Sequence, residues 1–214
     1  MELCGNRGES DMKQGGPILA AMLSGVCAAA CGPKVLVPPR LDLAPYHRIG
    51  LVTFTMENAK GDLNLFATES FADEVFASQR GIELLELGQM EEILAETGRD
   101  RFDPRAAMAL GDEYEIPAVF VGHLKVSDVR PRASISRFPS VEAVVSVEMT
   151  VRLLSTESGA TLWSNSARAT ESVGGIALTA GDVIFSAEDP NAAYGRLVEV
   201  LIEELTQDFR PTRR

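Results

Sequence analysis

From Arg48 onward the apolar positions fall into two patterns. In the first half, short unbroken apolar runs alternate with stretches of helical spacing. Arg48 to Thr55 (RIGLVTFT) sets Ile49, Leu51, Val52 and Phe54 close together, as in a strand buried on both faces. After the polar ENAKG loop, Asp62 is placed to cap a helix to about Gln79. Leu63, Phe66, Ala67, Phe71 and Val75 recur there at intervals of three and four, which predicts one apolar stripe. Gly81 ends it, and Ile82 to Leu87 (IELLEL) predicts a second strand. Gly88 to Thr97 predicts a short helix with Met90, Ile93 and Leu94 inward and Gly98 as its stop. Asp103-Pro104 restarts a helix to about Gly111, with Asp as cap and Pro in the first turn. Pro117 to Val126 (PAVFVGHLKV) is the third strand.

The second half has a period of two. Val145, Val147, Met149, Val151 and Leu153 share one face of a strand spanning Val141 to Leu154. Ser146, Glu148, Thr150 and Arg152 share the other, which predicts an antiparallel strand with one wet face. Ser155 to Gly159 is a turn, and Ala160 to Thr170 returns as the hairpin partner. Arg130 to Ser140 reads as a loop. Ser172 to Glu188 reads as a loop with a short ordered piece. Asp189-Pro190 caps a last helix to about Phe209, buried through Tyr194, Leu197, Val198, Leu201 and Leu205. The expected fold is α/β: a three-layer-like mixed sheet with crossover helices in the first half, then an antiparallel hairpin and a C-terminal helix.

The stretch before this domain has a different character. Pro17 to Ala30 is an apolar, small-residue run within the roughly 7–15 residues of a signal-peptide core. It is shorter than the ~20 residues that span a bilayer as a helix. Glu2, Glu9 and Asp11 stand where positive charge is expected, whereas Met12-Lys13 would be an ordinary start. Residues 1–30 are therefore expected to be a leader whose true start is Met12. Cys31 would be the first mature residue, 31–46 a proline-rich tether, 47–210 a single α/β domain and 211–214 a tail. Cys27 is the rival site, disfavoured because bulky Val26 precedes it. An ordinary cleavage after Ala28-x-Ala30 is the other alternative.

Charge narrows the partners. The chain carries 31 Asp and Glu against 20 Lys and Arg, a formal net charge of −11. This disfavours a general nucleic-acid surface. Arg130, Arg132 and Arg137, with Phe138, form the one local basic cluster, a candidate contact for an acidic partner beside its plainer role as a solvated loop. His47 and His123 are the only histidines, and no CxxC or Cys/His cluster exists, so neither metal nor cofactor is expected. Glu91-Glu92 and Glu203-Glu204 diverge by about 100° around their helices, so neither pair forms a shared acid/base site. Gly174-Gly175 has no phosphate-loop frame, and no GxSxG occurs.

Several of these segments, read together, resemble a known group. Ala28-Ala29-Ala30-Cys31-Gly32 resembles the bacterial lipobox, with Ala28 where leucine is usual. By that resemblance Cys31 would carry a diacylglycerol and an N-acyl chain, enough lipid for stable anchoring, and Gly32 would permit outer-membrane sorting. LVTF, IELLELGQMEEILAETG and DPRAAMALGDEYEIPAVFVGHL resemble envelope lipoproteins related to the curli secretion channel. The penicillin-binding-protein activator lipoproteins and the amino-terminal domain of the Tol–Pal propeller protein are similar in fold. Their hairpin pattern corresponds to Val147 to Trp163, with Gly159 at the turn, and Gly122 matches a glycine after the third strand. The resemblance implies a non-catalytic, periplasmic, membrane-tethered module for an envelope or peptidoglycan-synthesis partner.

The alternative it implies is a subunit of a ring-forming outer-membrane secretion complex, with oligomerisation possible. Its channel-forming relatives use two amphipathic insertions, placed here at Val126 to Val141 and Ala169 to Pro190. A membrane strand needs about 9–11 alternating residues. The first insertion is short and basic for a hairpin of that kind, and the second alternates poorly. A hydrolase is a third alternative, and would require a cleft joining carboxylates or His123.

Overall fold

The computed structural model describes residues 36–58, 60–134, 140–179 and 182–213. Val37–Thr212 form one compact unit. In chain order its strands are β1 (Arg48–Leu51), β2 (Thr55–Glu57), β3 (Glu83–Glu86), β4 (Ala118–Val126), β5 (Arg130–Ser134), β6 (Ser140–Ser155), β7 (Thr161–Thr179) and β8 (Asp182–Ala187). Its helices are α1 (Leu63–Ser78), α2 (Met90–Glu96), α3 (Pro104–Tyr114) and α4 (Pro190–Leu205).

These eight strands join one mixed sheet in the order β3-β1-β4-β6-β7-β8. β1 is parallel to both β3 and β4, because helical crossovers return the chain to the same end each time. β2 continues along β4 beyond β1, and β5 continues along β6 beyond β4. β6, β7 and β8 are antiparallel. The expected α/β class and the change of pattern at mid-chain are both present.

The two sheet faces are covered unequally. One face packs on α1 and α4 through Ile49, Leu51, Phe120, Leu124 and the alternate residues Val145 to Leu153. Aromatic contacts tie it together: Phe71 meets Phe120 edge-to-face at 5.1 Å, and Trp163 lies tilted 5.0 Å from Phe209, measured between ring centroids. Trp163 thus packs into this face against Phe120 and Phe209. On the other face α2 and α3 cover Val119, Val121 and Leu154 and stop there.

Local signals explain most ends. Asp103 accepts a hydrogen bond from the Ala106 amide at 2.9 Å, and Asp189 accepts one from Asn191 at 3.0 Å, so both Asp-Pro pairs start helices. Gly159 closes the β6–β7 turn at φ +69°, and a Cβ there would meet Pro104 at 2.5 Å. The turn thus packs directly on the start of α3.

Four expectations need correcting. Within the stretch read as a loop, Ser172 to Thr179 is the end of β7 and Asp182–Ala187 is β8. The period-two signal fails there because Val173 is an extra residue: Val144 pairs with Ser172 and Ala143 with Gly174. Arg130 to Ser134 is likewise strand, held by β6, instead of loop. Phe66 belongs to no buried stripe; it is 38% exposed, and Thr68 and Ala72 are buried instead. Asp62 sits at the start of α1 without a side-chain capping bond.

Candidate functional surface

β6 and β7 outrun the α2–α3 layer, leaving a broad strip of sheet uncovered. Backbone register defines its rows, because cross-strand partners share a face. One row holds Arg152 and Ser164, beside buried Val121. The next holds Thr55, His123, Thr150 and Ser166. The third holds Glu57, Lys125, Glu148 and Arg168, alternating in sign across four strands. Farther along, Arg130 lies opposite Val144 and Arg132 opposite Glu142.

Short polar contacts fix the middle of the strip. Lys125 Nζ lies 3.3 Å from Glu57 Oε2. His123 is half-exposed, with Nδ1 2.9 Å from Thr55 Oγ1 and Nε2 4.0 Å from the same Glu57 oxygen. Thr150 and Ser166 hydroxyls pair at 2.9 Å. Asn58 donates to the Val126 carbonyl at 3.0 Å, and Lys60 donates to Asp128 at 3.0 Å. The hydrogen bond to Asp128 holds the Lys60 ammonium above its usual pKa.

Two hollows lie on the strip. The larger, about 490 Å³, sits at the edge of α2 and α3; Met90, Phe102 and Val121 form its apolar wall and His123, Thr150 and Arg152 its polar side. The other, about 240 Å³, is lined by Lys125, Arg130, Ser146, Glu148 and Arg168. A third hollow, near the carboxyl end of β1, is lined by Thr53, Gln89 and Glu91 and carries no cation.

Arg130 thus joins Lys125 and Arg168, residues that sequence reading did not connect with it. Arg132 lies farther out on β5, exposed. Arg137, Phe138 and Cys31 lie outside the described residues. Arg152 was legible as part of a wet face, but its neighbours on β4 and β7 depend on register. No salt bridge joins Arg130, Arg152 or Arg168 to a carboxylate among the described residues. On the helical side, by contrast, Arg196 contacts Glu171 and Glu188, and Arg210 contacts Glu74 and Glu203.

No protein-family model matches the chain, and no curated protein matches it. Solved structures do. The chain is similar to the PelC dodecamer from Paraburkholderia phytofirmans, at 14% identity and a TM-score of 0.44, covering 84% of this chain and 98% of that one. It is similar to Lipoprotein GNA1162 from Neisseria meningitidis, at 18% identity and 0.42, covering 74% and 97%. The LpoB C-terminal domain from Escherichia coli matches at 10% identity and 0.35, covering 70% and 93%. Likenesses of this size assign no ligand or partner to the strip.

Among the described residues no three His, Cys, Asp or Glu side chains are grouped to hold a metal. No described helix is long and apolar enough to cross a membrane, which leaves strands unaddressed.

Proposed function

We propose that the chain is a non-catalytic cell-envelope lipoprotein, anchored through Cys31, whose uncovered sheet strip docks a protein partner. The observation that carries this reading is the strip itself. Its two sides differ from an ordinary solvated sheet face: one end has an apolar wall of Met90 and Phe102, and the rest carries guanidinium groups held by no carboxylate among the described residues. The lipobox-like Ala28 to Gly32 supports tethering. The partner class expected from the sequence is an envelope-assembly or peptidoglycan-synthesis complex.

The hydrolase reading has one feature in its favour, His123 in the larger hollow beside Thr55. That threonine hydroxyl also lies 3.3 Å from the Gly122 carbonyl as a donor. The pair is embedded in a cross-strand hydroxyl row, which supports reading it as structural. The ring-forming reading draws on β6 and β7, whose outer ends leave Val141 and Ile176 about half exposed.

Photo-crosslinking in living cells tests the docking surface. A photoreactive residue at Thr150 or Ser166 is expected to form one discrete adduct, while the same residue at Glu199 on α4 forms none. Equal adducts from both sides, or none from the strip, would remove the strip as the interface.

A further inference from the structure

The strip has a charge spacing that describes its occupant. Along β6 the rows that carry cations fall at residues 152, 148 and 144, each four residues from the next, the middle one balanced by two glutamates. At about 3.3 Å per strand residue, the intervals are ~13 Å and the three rows span ~26 Å. Arg152 marks the first row, Lys125 and Arg168 the second, Arg130 the third. Hydroxyl groups of Thr150, Ser166 and Thr170 stand between them.

Carboxylates decide which anion suits this pattern. Glu57 and Glu148 stand within the second row, so the field is positive only at separated points. A dense polyphosphate or an anionic bilayer would bring charge against those two glutamates, at a cost in repulsion. A ligand with carboxylates about four residues apart in extended backbone, and amides between them, meets cations and hydroxyls in turn. Its end beyond Arg152 would face Met90 and Phe102. The helical side is acidic by comparison: α1 carries Glu69, Asp73 and Glu74 with no basic residue, and in the hollow between α1 and α4 the carboxylates of Asp73, Glu74, Glu199 and Glu203 surround the single cation Arg210.

Resting on the docking role proposed above, we infer that the partner presents an acidic extended segment of about nine residues, the length that spans the three cationic rows. Its acidic side chains recur at four-residue intervals, and a bulky apolar residue at one end fills the larger hollow.

Binding of synthetic peptides to the full chain, purified in detergent and followed by fluorescence anisotropy, tests this. One peptide carries aspartates at the stated interval with a terminal phenylalanine. A second has the same composition with its aspartates contiguous. Phosphatidylglycerol vesicles and inorganic polyphosphate are the other probes. The spaced peptide is expected to bind about tenfold tighter than the contiguous one, with affinity falling as salt rises. The triple variant Arg130→Gln, Arg152→Gln, Arg168→Gln is expected to lose about tenfold or more, while Arg80→Gln, off the strip, loses nothing. Met90→Ala is expected to erase the preference for the terminal phenylalanine.

Unchanged circular dichroism and thermal midpoint identify variants that have folded. Where the triple variant does not fold, the single changes carry the same comparison. Equal binding of both peptides, or tighter binding of vesicles or polyphosphate, overturns the inference. So does a strip crosslink to a partner whose contacting segment is not acidic, and that result leaves the docking surface itself standing.

Discussion

Gly122 lies directly beneath the ring of Phe54. A Cβ built on the glycine would sit 2.4 Å from the Phe54 ring carbon Cδ1. Phe54 is fully buried between β1 and β2 and packs 5.4 Å from Phe71, so the ring has little room to retreat. Close approach of a side chain therefore explains the glycine in the middle of β4, without any need for an unusual backbone angle. Gly122→Ala is expected to destabilise the domain by about 1–3 kcal/mol through overpacking. Urea unfolding measures it; a loss below ~0.5 kcal/mol would mean the Phe54 site is slack.

Gln79 is a second fixed point. Its side chain is buried, accepts from the Leu43 amide at 3.0 Å, and donates to the carbonyls of Leu41 at 3.2 Å and Phe209 at 2.6 Å. Gln79→Ala strips partners from three backbone groups, two of them buried. A cost of about 2–4 kcal/mol is expected, seen as a lower urea midpoint. Gln79→Glu is expected to do at least as badly, because a carboxylate cannot donate to either carbonyl.

Tyr194 provides a pH-dependent test. Its hydroxyl donates to the Ser127 carbonyl at 2.7 Å, joining α4 to the β4–β5 connection. Burial raises its pKa above the usual 10, and neighbouring Asp128 pushes the same way against Lys60. The unfolded tyrosine therefore ionises first. Its contribution is complete below pH 10 and declines as pH rises from there through the folded pKa. Tyr194→Phe should cost about 1 kcal/mol at neutral pH. Denaturant titrations at several pH values should show that gap narrowing in alkali; a constant gap would place the hydroxyl in water.

The anchor has its own test. Metabolic palmitate labelling is expected to disappear in Cys31→Ser and to persist in Cys27→Ser. Labelling retained after the Cys31 change would reject the lipobox assignment.

The sequence carried the fold wherever burial was periodic. Val145 to Leu153 alternates without interruption, and these residues are the core-facing side of β6. Legibility ended where periodicity did: one bulged residue, Val173, and the adjacent Gly174-Gly175 broke the alternation of β7, although the strand continues to Thr179. Phe66 was misplaced for another reason. A stripe of three-and-four spacing includes flanking positions that packing can leave outside. The candidate surface was only half legible. Residues on β2, β4 and β7 come together solely through register, and Arg168 beside Glu148 or His123 beside Thr55 has no proximity in the chain.

The three bonds at Gln79 also have a mechanical consequence. If the chain is moored by lipid before residue 41, tension on that mooring is transmitted through Leu41 and Leu43. There it meets a side-chain amide that grips the far end of the polypeptide at Phe209, besides the Leu41 amide bond to the Asp208 carbonyl at 3.1 Å. A tug on the tether is thus shared with the C-terminal turn before it can peel β1 from the sheet. Gln79 is a cleat as well as a core residue, and a domain lacking it should come undone from its moored end.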